Sequence, residues 1–181
     1  MINAKTTRLQ LAAEITKALE KNGMSAVLVG GAVVSIYTDN EYESKDLDFI
    51  SSAEHKKIAQ VMKTLGFEAE GKNFCHPNTN LSVEFPSGPI GIGDRVPVKP
   101  EGQIKVGNIT VILFSPTQST MDRLSWFYFN NDRQCLDQAV MIALKQPVDF
   151  KEIKKWSLEE GMGSKFEVFM NTYKNKLAKK E

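Results

Sequence analysis

Two carboxylates separated by one apolar residue, Asp46-Leu47-Asp48, are the first candidates for chemistry in this chain. The run continues as Phe49-Ile50, and its apolar and β-branched residues predict a strand. Side chains alternate across a strand, so Asp46 and Asp48 share one face and Leu47 and Phe49 the other. Their Cα atoms then lie roughly 6.6 Å apart, two rises of about 3.3 Å. That spacing suits oxygen donors sharing one or two divalent cations. Upstream, Leu28-Val29-Gly30-Gly31 reads as a strand ending in a glycine turn that opens a helix. Free N–H groups at such a helix start hold phosphates. A phosphate cradle beside a carboxylate pair points to metal-dependent chemistry on a nucleotide.

The elements that must position these residues follow from periodicity. Thr6 to Lys21 carries apolar residues at three- and four-residue spacing and predicts an amphipathic helix, closed by Asn22-Gly23. Met24 to Val29 is a short apolar run, as in a buried strand, and Ala32 to Tyr37 a short helix. Thr38 to Ser44 is a polar, acidic loop, followed by a strand over Asp46 to Ser51. A helix to Leu65 is capped by Ser51 or Ser52 and stopped by Gly66. Strands are predicted over Phe67–Glu70, Asn73–His76 and Leu81–Phe85. In the last, Leu81, Val83 and Phe85 face the core while Ser82 and Glu84 face the other way. Pro86 to Pro100 holds four of the seven prolines and three of the twelve glycines, an irregular loop of a length that is usually functional or mobile. A hairpin follows around Gly107-Asn108.

After Ser115-Pro116 the periodicity is helical throughout. Helices are expected over 117–129, 132–145, from an Asp149 cap to Glu160, and from a Ser164 cap to Lys179. The chain therefore divides into an α/β part, 1–114, and a helical part, 115–181, packed on one another. Trp126, Phe127, Tyr128 and Phe129 read as core or interface residues rather than a base-stacking platform, and Asp122-Arg123 as an ion pair, with Arg123 a candidate for the cleft.

Composition sets outer bounds. The 181 residues carry 23 basic and 22 acidic groups, a formal charge of +1, which argues against an extended surface for duplex nucleic acid and leaves room for a small anionic ligand. Only Lys174 to Lys180 is clearly basic. Two cysteines and two histidines give neither a disulfide framework nor zinc spacing. No apolar run reaches the ~20 residues of a membrane span, and the expectation is a cytoplasmic protein.

Leu28-Val29-Gly30-Gly31 followed by Lys45-Asp46-Leu47-Asp48-Phe49 resembles the signature of the nucleotidyltransferase fold, the DNA polymerase beta superfamily. The likeness covers residues 5–115 and is nearest to the small nucleotidyltransferases of toxin–antitoxin and abortive-infection systems; Val83-Glu84-Phe85-Pro86 and Asp122-Arg123-Leu124 share that group's character. It implies an α+β fold: a mixed sheet flanked by helices, then a C-terminal helical bundle. It also implies that Gly30 and Gly31 position a nucleoside triphosphate, with Ser35 and Lys45 as further nucleotide contacts. Asp46, Asp48 and Glu84 are implied as ligands of two magnesium ions, manganese being an alternative, and as the catalytic groups. The acceptor hydroxyl would belong to a protein or a tRNA. Fourteen residues separate Gly31 from Asp46, a long spacing, and Val33-Val34 stands where the tRNA-nucleotidyltransferase branch has Arg-Asp. A non-catalytic relative that binds a nucleotide or a partner protein is the alternative, and an unrelated α+β binding domain is a third.

Overall fold

The computed structural model describes residues 2–179. Lys180, the end of the basic tail, lies outside them. The elements run α1 (Arg8–Lys21), β1 (Val27–Val29), α2 (Gly30–Tyr37), β2 (Asp46–Ile50), α3 (His55–Thr64), β3 (Glu68–Glu70), β4 (Asn73–Cys75), β5 (Ser82–Glu84), β6 (Gly102–Val106), β7 (Ile109–Leu113), α4 (Pro116–Asn130), α5 (Arg133–Lys145), α6 (Phe150–Glu159) and α7 (Gly163–Ala178). The strands form one mixed sheet in the order β3-β4-β5-β2-β1-β7-β6. β1 runs antiparallel to β2 and parallel to β7, and β2 runs parallel to β5.

Strand alternation gives the sheet two different faces. Leu28, Leu47, Phe49, Val83, Val111 and Leu113 point one way, into a core shared with α1, α2 and α3. Val27 and Val29 point the other way, under α4, α5, α6 and α7. The helical half therefore covers the β1 and β7 part of this second face. The same face carries Asp46 and Asp48 on β2 and Ser82 and Glu84 on β5, in register as Asp46↔Ser82 and Asp48↔Glu84. This is the expected α+β architecture.

The caps show which local signals acted. Thr7 and Ser115 each close a capping box, with Gln10 and Gln118 as the reciprocal partners, and Pro116 stands at the first turn of α4. Asp149 caps α6 as expected, and Asp132, expected as the first residue of its helix, stands instead as the cap of α5. Two expected caps are displaced. α3 starts behind Glu54 with no side-chain cap, because the Ser51 hydroxyl donates to Ser25 O and accepts from Ala53 N. α7 starts one residue before Ser164, behind Met162.

The Pro/Gly loop is anchored rather than free. The Glu160 carboxylate accepts from Asp94 N at 3.0 and 3.1 Å and from Trp156 Nε1 at 2.8 Å. Arg95 pairs with Glu159 at 2.7 Å and Glu152 at 3.7 Å. Ile92 is buried against the helical core. The loop tip is thus held at the end of α6, and Ile90, Pro97 and Val98 roof a cavity of about 250 Å³ over Val27 and Ile50.

Candidate active site

β1 ends at Val29, whose register partner is Asp48. The chain must turn sharply there to start α2, and Gly30 does so at φ +73, in the left-handed region. The turn brings Gly30 against the Asp48 side chain: a Cβ on Gly30 would collide with that carboxylate. Gly31 has a different neighbour, since a Cβ there would stand 2.9 Å from Ser44 Oγ. The two glycines thus bring α2 close to β2 and to the loop before it. Val29 gives α2 no side-chain cap. The N–H groups of the first turn are left without intrahelical partners beside Asp48, where the helix dipole favours an anion.

Register carries the acidic row outward. Asp48 lies beside Glu84, and Glu84 lies opposite Asn73 on β4. Glu84 pairs with Lys72 at 3.2 Å. Asp46 is exposed and accepts a hydrogen bond from Ser82 Oγ. Burial, then the charge of Glu84, push the Asp48 carboxyl up to about 6; Arg123 opposes the rise, and Asp46 and Asp122 add to it.

Arg123, 75 residues further along the chain, is therefore electrostatically coupled to Asp48. On α4, Arg123 donates to Asp122 Oδ2 through Nη2 at 2.6 Å and Nε at 3.1 Å, and through Nη1 to Cys135 Sγ at 3.8 Å. Burial works against its charge, and Asp122, Cys135 and Asp48 more than offset that, so its pKa stands above the ordinary value. The candidate site thus joins the start of α2 to the carboxylates of β2 and β5 on one sheet face, with the Asp122–Arg123 pair of α4 near enough to act on Asp48. The sequence marked Arg123 only as a cleft candidate, from the Asp122-Arg123-Leu124 triplet, and no local pattern joined it to Asp48.

Of the expected nucleotide contacts, the glycines are at the site and Ser35 is not. Ser35 is fully buried; its hydroxyl donates to Gly31 O at 3.2 Å and accepts from Ser44 N at 2.8 Å. It braces the loop that leads into β2. Lys45 is exposed just ahead of β2, where alternation sets it opposite to Asp46. The loop itself, residues 38–45, is tied from two sides. Arg8 of α1 donates to Ser44 O and to Asn40 Oδ1. Lys145 of α5 donates to Thr38 O at 2.8 Å and pairs with Glu41 at 3.0 Å.

The metal expectation can be weighed on the donor set. Among the described residues no three His, Cys, Asp or Glu side chains are grouped as a ready-made metal site. Magnesium does not require one, because it is usually held by one or two carboxylates plus substrate phosphates. Asp46 and Asp48 can supply that pair, and a cation beside Asp48 would favour the charged carboxylate that burial first, and then the charge of Glu84, disfavour. The residues therefore fit a cation brought together with a polyphosphate.

The mixed sheet flanked by helices, with a Gly-Gly turn against an Asp-x-Asp strand, is a nucleotidyltransferase-like fold. Residues 8–70 match the model of a family described as "nucleotidyl transferase of unknown function (DUF2204)". An antigenic nucleotidyltransferase-like protein from Paracoccidioides brasiliensis is similar over 77% of this chain and 77% of its own, at 13% identity and a TM-score of 0.56. The antibiotic-resistance factor ANT(2'')-Ia aligns over 96% of this chain and 94% of its own, at 16% identity and a TM-score of 0.46. No curated protein matches the sequence. Among the described residues no helix is long and apolar enough to cross a membrane.

Proposed function

We propose that the protein is a metal-dependent nucleotidyltransferase. It moves a nucleoside monophosphate from a nucleoside triphosphate to a hydroxyl of a protein or RNA acceptor, with tRNA in the second class, as part of a toxin–antitoxin pair. The observation that carries this reading is the placement of Asp48, in register beside Glu84 and with its carboxylate against Gly30 at the uncapped start of α2. Carboxylates crowded at an anion site are poorly arranged for stability and well arranged for a cation with phosphate.

In this reading the Gly30–Gly31 turn and Arg123 hold the triphosphate. Asp46 and Asp48 hold magnesium, or manganese in its place, with Glu84 completing the set. The ions supply charge neutralisation on the phosphates and acidify the incoming hydroxyl. The hydroxyl oxygen bonds to the α-phosphorus, the bond to the bridging oxygen breaks, and pyrophosphate leaves. Glu84 receives the hydroxyl proton once its carboxylate is released from Lys72.

The test is transfer of label from α-³²P nucleoside triphosphates, with magnesium, to tRNA and to candidate partner proteins. Labelled acceptor is expected from the wild type and not from the Asp46→Ala, Asp48→Ala double variant. Label that survives in the double variant sinks the proposal. A second reading, a non-catalytic domain that binds a nucleotide or a partner protein, is favoured by one observation: Glu84 is already paired with Lys72. Calorimetry separates the two when triphosphate binds with magnesium and no acceptor in a broad panel takes label.

A further inference from the structure

The aromatic run on α4 divides in two. Phe127 and Tyr128 are buried, and their rings pack on each other and on Trp156. Trp126 and Phe129 are 50% and 48% exposed, and neither stacks on another ring among the described residues. Position on the helix relates the exposed indole to the candidate site. Trp126 follows Asp122 by four residues and Arg123 by three, so all three adjoin on the helix surface. Helical side chains lean toward the N-terminus, which directs Trp126 toward the turn that bears Asp122 and Arg123.

We infer that Trp126 is the stacking platform for the base of the nucleoside triphosphate, with its open ring face against the base one helical turn from the phosphate-holding Arg123. The inference rests on the proposed nucleotidyl transfer and deepens it. A nucleotide whose phosphates lie between the start of α2 and Arg123 has its base one sugar away, and residues three apart on a helix, as Arg123 and Trp126 are, have Cβ atoms about 5–6 Å apart. Stacking engages the π-face that every base presents, so this contact gives affinity for nucleosides over bare polyphosphate and little choice among bases. Phe129, three residues on, extends the apolar edge of the platform. A second copy of this chain seated on the two rings is the competing occupant.

The experiment uses the full-length protein with magnesium. Tryptophan emission is followed while ATP, GTP, CTP or UTP is added, and inorganic tripolyphosphate serves as the base-free control. Quenching is expected with all four nucleotides, not with tripolyphosphate, and not in Trp126→Phe, whose remaining tryptophan, Trp156, is buried. In Trp126→Ala, nucleotide affinity is expected to fall roughly 5- to 150-fold, the range for loss of one base–aromatic stack. Tripolyphosphate affinity should stay unchanged, and Trp126→Phe should bind nucleotides nearly as the wild type does. A wild type that binds nucleotides while Trp126→Ala binds them equally overturns the platform and leaves the proposed function standing. A wild type that binds neither ligand overturns both. A variant altered only in self-association, by sedimentation, also overturns the platform, because the face then belongs to a second copy.

Discussion

Replacing Asp48 by Asn should stabilise the protein at neutral pH in the absence of metal. The Asp48 carboxyl stands at about 6 against an ordinary 3.8, because burial and Glu84 disfavour its charge. Two units at 1.36 kcal/mol each give about 3 kcal/mol. The side chain is only partly buried, so solvent screens part of this and about 1–3 kcal/mol is the working range. The sign follows from proton counting. Between pH 4 and 6 the native state binds more protons at Asp48 than the unfolded chain does, so stability falls as pH rises through that window and stays lowered above it. Asn removes the charge and keeps the shape. In EDTA at pH 7.5, Asp48→Asn should therefore melt roughly 2–12 °C higher than wild type, at about 2–4 °C per kcal/mol for a chain of this size. The difference should shrink toward zero by pH 4. Thermal melts followed by circular dichroism between pH 4 and 8 read it directly. A variant that melts level with or below wild type at pH 7.5, or an offset that does not change with pH, refutes the argument.

Three further outcomes follow from the same geometry. Gly30→Ala should cost about 1–3 kcal/mol in a urea titration, since its φ is left-handed and the added methyl meets Asp48, whereas Gly31→Ala meets the movable Ser44 side chain and should cost less. Arg123→Met leaves the buried Asp122 carboxylate without its cation and should cost about 2–4 kcal/mol, much of it recovered when Asp122→Asn is added. Glu160→Ala frees the Asp94 amide and orphans the Trp156 indole N–H, so limited proteolysis within residues 86–100 should accelerate; Arg95→Ala, at an exposed ion pair, should have a smaller effect.

The parts of the fold that could be read in the sequence are those fixed by neighbouring residues. Ser115-Pro116 followed by Gln118 announces a helix start through its own hydrogen bonds. Gly107-Asn108 closes a two-residue hairpin, with Val106 paired to Ile109. The alternation of Asp46-Leu47-Asp48-Phe49 sorted buried from open side chains before any partner strand was known. What could not be read depends on contacts between distant segments. Ser35 stands one turn beyond the glycines, where a phosphate contact was expected, and it is buried because Ser44 N lies 2.8 Å away. The Pro86–Pro100 loop has the composition of a mobile segment, and what holds it is Glu160, about 66 residues from its tip. Trp126 and Tyr128 are chemically similar neighbours, and only the direction from which α5 and α6 pack on α4 makes one exposed and the other buried.

The tethers on residues 38–45 act as a mechanical linkage. Lys145 holds Thr38 and Glu41 from the helical half, Gln146 donates to Tyr37 O from the same side, and Arg8 holds Ser44 from the α/β half. Two residues beyond Ser44 the chain reaches Asp46. Any swing of α5 away from the sheet must pull on this loop, and the pull arrives at the carboxylates through a short, braced segment. The helical half is therefore geared to the acidic strand. A chain cut at residue 114 therefore loses one of the two anchors of the loop that leads into those carboxylates.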